Sequence, residues 1–207
     1  MKKKPSFLEM IELQNDGIWG NVLNFSDQEE EKILRKKIAN SKYTDYLSEI
    51  SKHHSIPVMD KENEKFISLI PKNGVILDVG GCWGWHWRRL HETRPDLTVV
   101  IIDLIRENLM HAQDILKNSI EKNKIYLVNG NALDLKFNSE IFDGVWSVQT
   151  TQHIPNYNRV FKEIFRVLKF NGHYWDYGLN NAAFIRIIYS FFKKHYHLLG
   201  SIEGSFF

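Results

Sequence analysis

The chain has 207 residues, 43% hydrophobic and 25% charged, with 27 basic against 25 acidic residues and a formal net charge of +2. That is the profile of a globular protein with one full core, and its balance of charge argues against nucleic acid as the main partner. The single cysteine, Cys82, excludes an intrachain disulfide. No stretch reaches the roughly 18 apolar residues of a membrane helix, so the expectation is a cytoplasmic protein without stable membrane insertion.

In chain order, residues 1–25 read as irregular and open on a basic tail, Lys2-Lys3-Lys4. Ser26 with Glu29 is a capping box ahead of Ile33, Leu34 and Ile38 at helical spacing. A second helix is expected over Tyr43 to Ser51, then a break at Pro57 and a short amphipathic helix over Lys61 to Ile70. From there the rhythm changes. Val75 to Val79, Thr98 to Asp103, Lys124 to Asn129, Ile141 to Val148 and His173 to Tyr177 are short, largely apolar strands. Between them lie helical stretches at 85–94, Glu107 to Asn118 and Tyr157 to Lys169, and Asn181 to Tyr196 follows as a last helix. Strands apolar throughout and alternating with helices predict an α/β fold, a doubly wound, mostly parallel sheet covered on both faces. We divide the chain into an N-terminal segment and helical cap, 1–60, and a binding domain, 61–207.

In such sheets ligands bind beyond the carboxyl ends of the strands. The first strand runs into Asp78-Val79-Gly80-Gly81-Cys82-Trp83-Gly84. A dinucleotide fingerprint would need glycine at Cys82 and again at Trp85, and a pyrophosphate would be repelled by Asp78. A cationic ligand would instead be favoured by that acid. The second strand ends in Asp103, a carboxylate placed to accept hydrogen bonds from both hydroxyls of a ribose. After the third comes Gly130-Asn131-Ala132-Leu133-Asp134-Leu135-Lys136-Phe137. After the fourth, Phe142-Asp143-Gly144-Val145-Trp146-Ser147-Val148 leads to His153, and Glu163-Ile164-Phe165-Arg166-Val167-Leu168 precedes the fifth.

This ordered set over residues 70–178 resembles the class I methyltransferases. It is most similar to their small-molecule, "type 11" branch, which includes the ubiquinone and menaquinone biosynthesis type. The resemblance implies a Rossmann-like methyltransferase fold, S-adenosyl-L-methionine as cofactor and a small-molecule methyl acceptor. Residue by residue it places Asp78, Gly80, Gly81, Cys82 and Gly84 around the methionine part of the cofactor, Asp103 on the ribose and Asn131 and Ala132 beside the adenine. Ser147 and Val148 fall beneath the methionine part, and His153 near the acceptor, as the candidate base. Two positions depart from the family pattern: Cys82 stands where glycine is usual, and Asn131 where Asp is usual. The family sheet normally has two further strands, for which residues 197–207 leave too little chain. The expectation is an exposed edge covered by another subunit or a partner.

The remaining candidates have plain structural readings. Trp83, Trp85 and Trp87 fit apolar packing of the first helix on the sheet, or, for Trp83 or Trp85, the mouth of the site. His86, Tyr43 and Tyr46 are weaker site candidates, and the nine histidines form no metal-binding pattern. Two rival functions remain open: a noncatalytic methyltransferase-like module that supports a partner, to which Cys82 points, and a nicotinamide-dependent oxidoreductase, against which Asp78 and Trp85 argue.

Overall fold

The computed structural model describes residues 4–20, 33, 55–122, 124–154 and 156–177. The helices expected at 43–51 and 181–196, most of the one beginning at Ser26, and the question of further strands after 178 lie outside these residues. The described elements are β1 (Trp19–Gly20), α1 (Ser55–Leu69), β2 (Val75–Val79), α2 (Leu90–Thr93), β3 (Thr98–Asp103) and α3 (Arg106–Ile115). They continue with α4 (Lys117–Glu121), β4 (Ile125–Asn129), β5 (Phe142–Val148), α5 (Tyr157–Val167) and β6 (Leu168–Tyr177). Single 3-10 turns lie at Ser6–Leu8, Trp85–Trp87 and Thr151–His153.

The six strands form one sheet in the order β1-β4-β3-β2-β5-β6, and every pairing is parallel. The chain leaves β2 towards β3 and β4, then crosses back to β5 and β6. Strand order therefore reverses at β2, and a ligand crevice is expected beyond its carboxyl end. Alternation along the strands sends Val99 and Ile101 to one face and Val100 and Ile102 to the other, all buried. The first face packs Met59, Phe66 and Ile67 of α1, Ile70 just after it, and Leu109 and Ala112 of α3. The second packs Val160, Ile164 and Val167 of α5 and the loop residues Leu133, Leu135 and Phe137.

Several elements differ from the sequence reading. The first 25 residues are not wholly irregular: Leu8 and Ile18 are fully buried, and Trp19–Gly20 extends the sheet beyond β4. Sequence missed them because a two-residue strand has no periodicity of its own. Pro57 does not break the chain but sits in the first turn of α1, where a backbone N–H has no helical partner to lose. The expected helix at 85–94 is split into a 3-10 turn and the short α2, with Arg89 between them out of helical geometry. The last strand has its regular ladder where expected, His173 to Tyr177 against Gly144 to Val148. Its ladder begins earlier, at Leu168 opposite Phe142, with residues 169–172 looped out between and Asn171 at φ 65°.

The recognition motifs of the sequence turn out to be largely structural fasteners. Arg166 of α5 donates to the carbonyls of Phe137 and Leu135, both at 2.7 Å, and pairs with Glu163, which in turn accepts from Leu135 N at 2.8 Å. The Glu-x-x-Arg pair therefore clamps the Leu-x-Phe loop. Asp143 accepts from Val75 N and from Lys169 Nζ, each at 2.8 Å, fixing the start of β2 to β5 and to the residues after α5.

Candidate cofactor site at the strand carboxyl ends

The loop after β2 turns sharply at Gly80, whose φ is 71°. A Cβ there would overlap the Thr150 side chain, which caps the loop from the β5 side and donates to the Gly80 carbonyl at 3.3 Å. Gly80 N donates to Ile102 O at 2.8 Å, tying the turn to β3. Cys82 adopts a left-handed φ of 51°, a conformation that suits the glycine usual at this position. Its backbone N–H donates to Asp103 Oδ2 at 2.9 Å.

Asp103 closes β3 and is nearly buried, with 7% exposure. Its Oδ1 accepts from Ile105 N at 2.8 Å and from Asn108 Nδ2 at 3.2 Å. A carboxylate has about four acceptor positions. Ile105 N, Asn108 Nδ2 and Cys82 N engage both of its oxygens, so a ribose hydroxyl would compete with these internal donors. Gly130 N donates to Asp103 O at 3.0 Å, so the loop after β4 abuts the same strand end. Asn131 lines a shallow recess there with Ile11, Ile102, Gly130 and Lys136. Its Oδ1 accepts from Leu133 N at 2.9 Å, so the amide oxygen is spent on its own turn. Ala132 is half-buried beside it.

Asp78 lies beneath the loop, not on its surface. Its carboxyl is 1% exposed, on the same face of the sheet as Trp146. Oδ2 accepts from the Trp87 indole N–H at 2.7 Å. A Cβ on Gly81 would fall on that same oxygen. Burial pushes the carboxyl up to about 7; the Trp87 hydrogen bond opposes this and the negative charge of Asp103 adds to it. The acid is thus poised at the edge of ionisation, not fixed as a permanent anion. Trp83 and Trp87 are core residues at 3% and 0% exposure, and the Arg88 guanidinium lies over the half-buried ring of Trp85 at 4.2 Å.

Ser147 is fully buried one residue past Trp146 and is the register partner of both Val79 and Asp176; Val148 follows, half-buried, at the strand end. His153 ends the 3-10 turn after β5, half-buried, with Nε2 3.1 Å from Gln152 Nε2. The structure therefore gathers Asp78, Gly80, Gly81, Cys82, Gly84 and Asp103 into one loop-and-strand unit. It sets Asn131 and Ala132 on the β4 side, and Ser147, Val148 and His153 on the β5 side. The sequence reading missed Trp87 as a partner of Asp78, Thr150 as the support of Gly80, and Asn108 as a donor to Asp103. Their types gave no signal, because each acts through a contact that only the fold creates.

Residues 77–175 match the family described as "Methyltransferase domain". This stretch, a little under half of the chain, is similar to that family. The fold agrees with it: a Methanococcus maripaludis protein assigned as an S-adenosyl-L-methionine-dependent methyltransferase superposes with a TM-score of 0.57 at 20% identity, over 70% of this chain and 67% of that one. Among curated proteins, the domain is similar to a sterol 24-C-methyltransferase of Clavispora lusitaniae, 31% identical over 58% of this chain and 34% of that protein. It is also similar to a demethylmenaquinone methyltransferase of Listeria welshimeri, 30% identical over 54% of this chain and 47% of that protein. In both cases the matched part is less than half of the relative. The matched stretch contains the candidate residues from Asp78 to His153; Tyr43 and Tyr46 fall before it.

Proposed function

We propose that this chain is an S-adenosyl-L-methionine-dependent methyltransferase acting on a small-molecule acceptor. The observation that carries the reading is the unit joining Asp78, the Gly80–Gly84 turn and Asp103 at the strand-order reversal of a domain similar to the methyltransferase family. The cradle fits a cofactor: added Cβ atoms at Gly80 and Gly81 would be blocked by Thr150 and Asp78, so the loop keeps bare backbone there. The cofactor, when bound, supplies an electrophilic methyl group on a cationic sulfur. The loop would hold its methionine part, with Ser147 and Val148 below. Asp103 would accept from the ribose, and Asn131 and Ala132 would flank the adenine. His153 would take a proton from an acceptor hydroxyl or amine, where the acceptor has one to lose. Relatives named for sterols and demethylmenaquinone support a small organic acceptor rather than nucleic acid.

Residues 1–60 we assign to a cap over the site, and Ile11 of this segment lines the recess beside Asn131, on the adenine side. Among the described residues β6 pairs on one side only, which supports cover of its free edge by a second copy or a partner. No described helix is long and apolar enough to cross a membrane. A cytoplasmic location remains our reading of the lone cysteine.

The test is calorimetric titration of the chain with S-adenosylhomocysteine and with NAD. Binding of the first and not the second is expected. Tighter binding of NAD would establish the oxidoreductase instead, and binding of neither would leave a noncatalytic module.

A further inference from the structure

The ten-residue span from Asp78 to Trp87 is closed on itself. At one end Asp78 leaves the middle of the sheet; at the other Trp87 returns its indole to the same carboxyl, with the N–H 2.7 Å from Oδ2. The Trp87 backbone is tied as well, its N–H donating to Gly84 O at 2.9 Å, while Gly84 N donates to Gly81 O at 2.8 Å. Gly81 rests on the bonded oxygen itself. The ring is held edge-on to Trp146, 6.3 Å between centroids at 74°, so it has no freedom to leave without disturbing the core. Moving Asp78 therefore moves the loop, and among the described side chains Trp87 is the one that donates to that carboxyl.

We propose that Trp87 is a positioning residue for cofactor binding: its indole N–H orients the Asp78 carboxylate beneath Gly81 and so sets the shape and charge of the cofactor loop. The claim rests on the methyltransferase reading. It goes beyond it by giving a role in ligand binding to a core tryptophan outside the glycine motif. A buried carboxylate with one strong donor ionises more readily than one with none. The charged neighbour acting on Asp78 is Asp103 on β3; His86 of the Trp85–Trp87 segment, Arg88 and Asp60 of α1 act on one another.

Trp87→Phe removes the donor and keeps most of the ring. S-adenosylhomocysteine affinity is measured by calorimetry from pH 6 to pH 9 on wild type, W87F and Asp78→Asn. Wild-type affinity should rise with pH to about 7 and then level. In W87F binding should be about tenfold to a hundredfold weaker at pH 6–7 and recover towards wild type by pH 9, as the carboxyl ionises later. In D78N the dependence should be lost. W87F binding like wild type at pH 6–7 overturns the proposal, and so does an equal loss at every pH, which would mark packing alone. If wild type binds no S-adenosylhomocysteine, the methyltransferase reading itself falls, and this proposal with it. Far-UV circular dichroism and a cooperative melt confirm that W87F is folded; should it not be, Trp87→His, which retains a ring N–H, is compared with Trp87→Leu, and equal affinity of the two overturns the proposal.

Discussion

Replacing Asp78 by Asn should make the ligand-free protein more stable at neutral and alkaline pH, although it removes a residue of the candidate site. The carboxyl ionises near 7 in the fold against 3.8 when exposed, first because it is buried. Between those values the folded state holds a proton that the unfolded chain has released, so stability falls as pH rises from about 4 to 7 and is level above. Three pH units at about 1.4 kcal/mol each amount to about 4 kcal/mol as an upper figure. Asn keeps an acceptor for the Trp87 N–H but adds an amide hydrogen that needs a partner, a loss of about 1 kcal/mol. D78N should therefore be about 1 kcal/mol less stable than wild type at pH 4 and about 3 kcal/mol more stable at pH 8. The wild-type curve alone will not reveal this, because His86 works against it over the same range. Its imidazole is held down to about 4, chiefly by burial and then by Arg88, so its contribution is lost as pH falls from 6.5 towards 4. The difference between variant and wild type removes that common part. Urea unfolding followed by tryptophan fluorescence at pH 4.5, 6 and 8 gives the difference. A gap that does not change with pH refutes the buried-acid argument.

His86→Phe should abolish the acid-side loss, raising stability at pH 5 by up to about 2 kcal/mol relative to its effect at pH 8, as melting at the two pH values will show. Gly81→Ala places a Cβ against Asp78 Oδ2 and Ile101 Cγ2; it should cost about 1–3 kcal/mol and weaken S-adenosylhomocysteine binding, read by melting and calorimetry. Arg166→Met frees the Leu135 and Phe137 carbonyls and the Glu163 carboxylate. A loss of about 2 kcal/mol in urea unfolding is expected, far from the loop after β2, and S-adenosylhomocysteine affinity should be unchanged.

The parallel sheet was legible because its strands are buried on both faces, and that leaves an unmistakable mark: apolar runs such as Thr98 to Asp103 with helical periods between them. The acids Asp78 and Asp103 were legible for the opposite reason, being polar groups at the ends of apolar strands. The same local signals hid the rest. Trp19–Gly20 is a strand only because β4 offers it an edge. Trp87 carries the composition of a core residue, and its one polar atom matters only where the backbone brings it back to Asp78.

Sequence by itself determined the buried strands from Val75 onwards, their alternation with helices, and which of them end in acids, since each follows from local hydrophobic period and turn chemistry. Tertiary structure decided what those acids are worth. Charge at Asp78 depends on burial, on one indole N–H and on the field of Asp103. The capacity of Asp103 depends on donors that include Ile105 N after β3, Asn108 of α3 and Cys82 N of the neighbouring loop. Both are sums over groups that lie far apart in the chain or are turned towards one another only by the fold, and no pattern along the sequence records them.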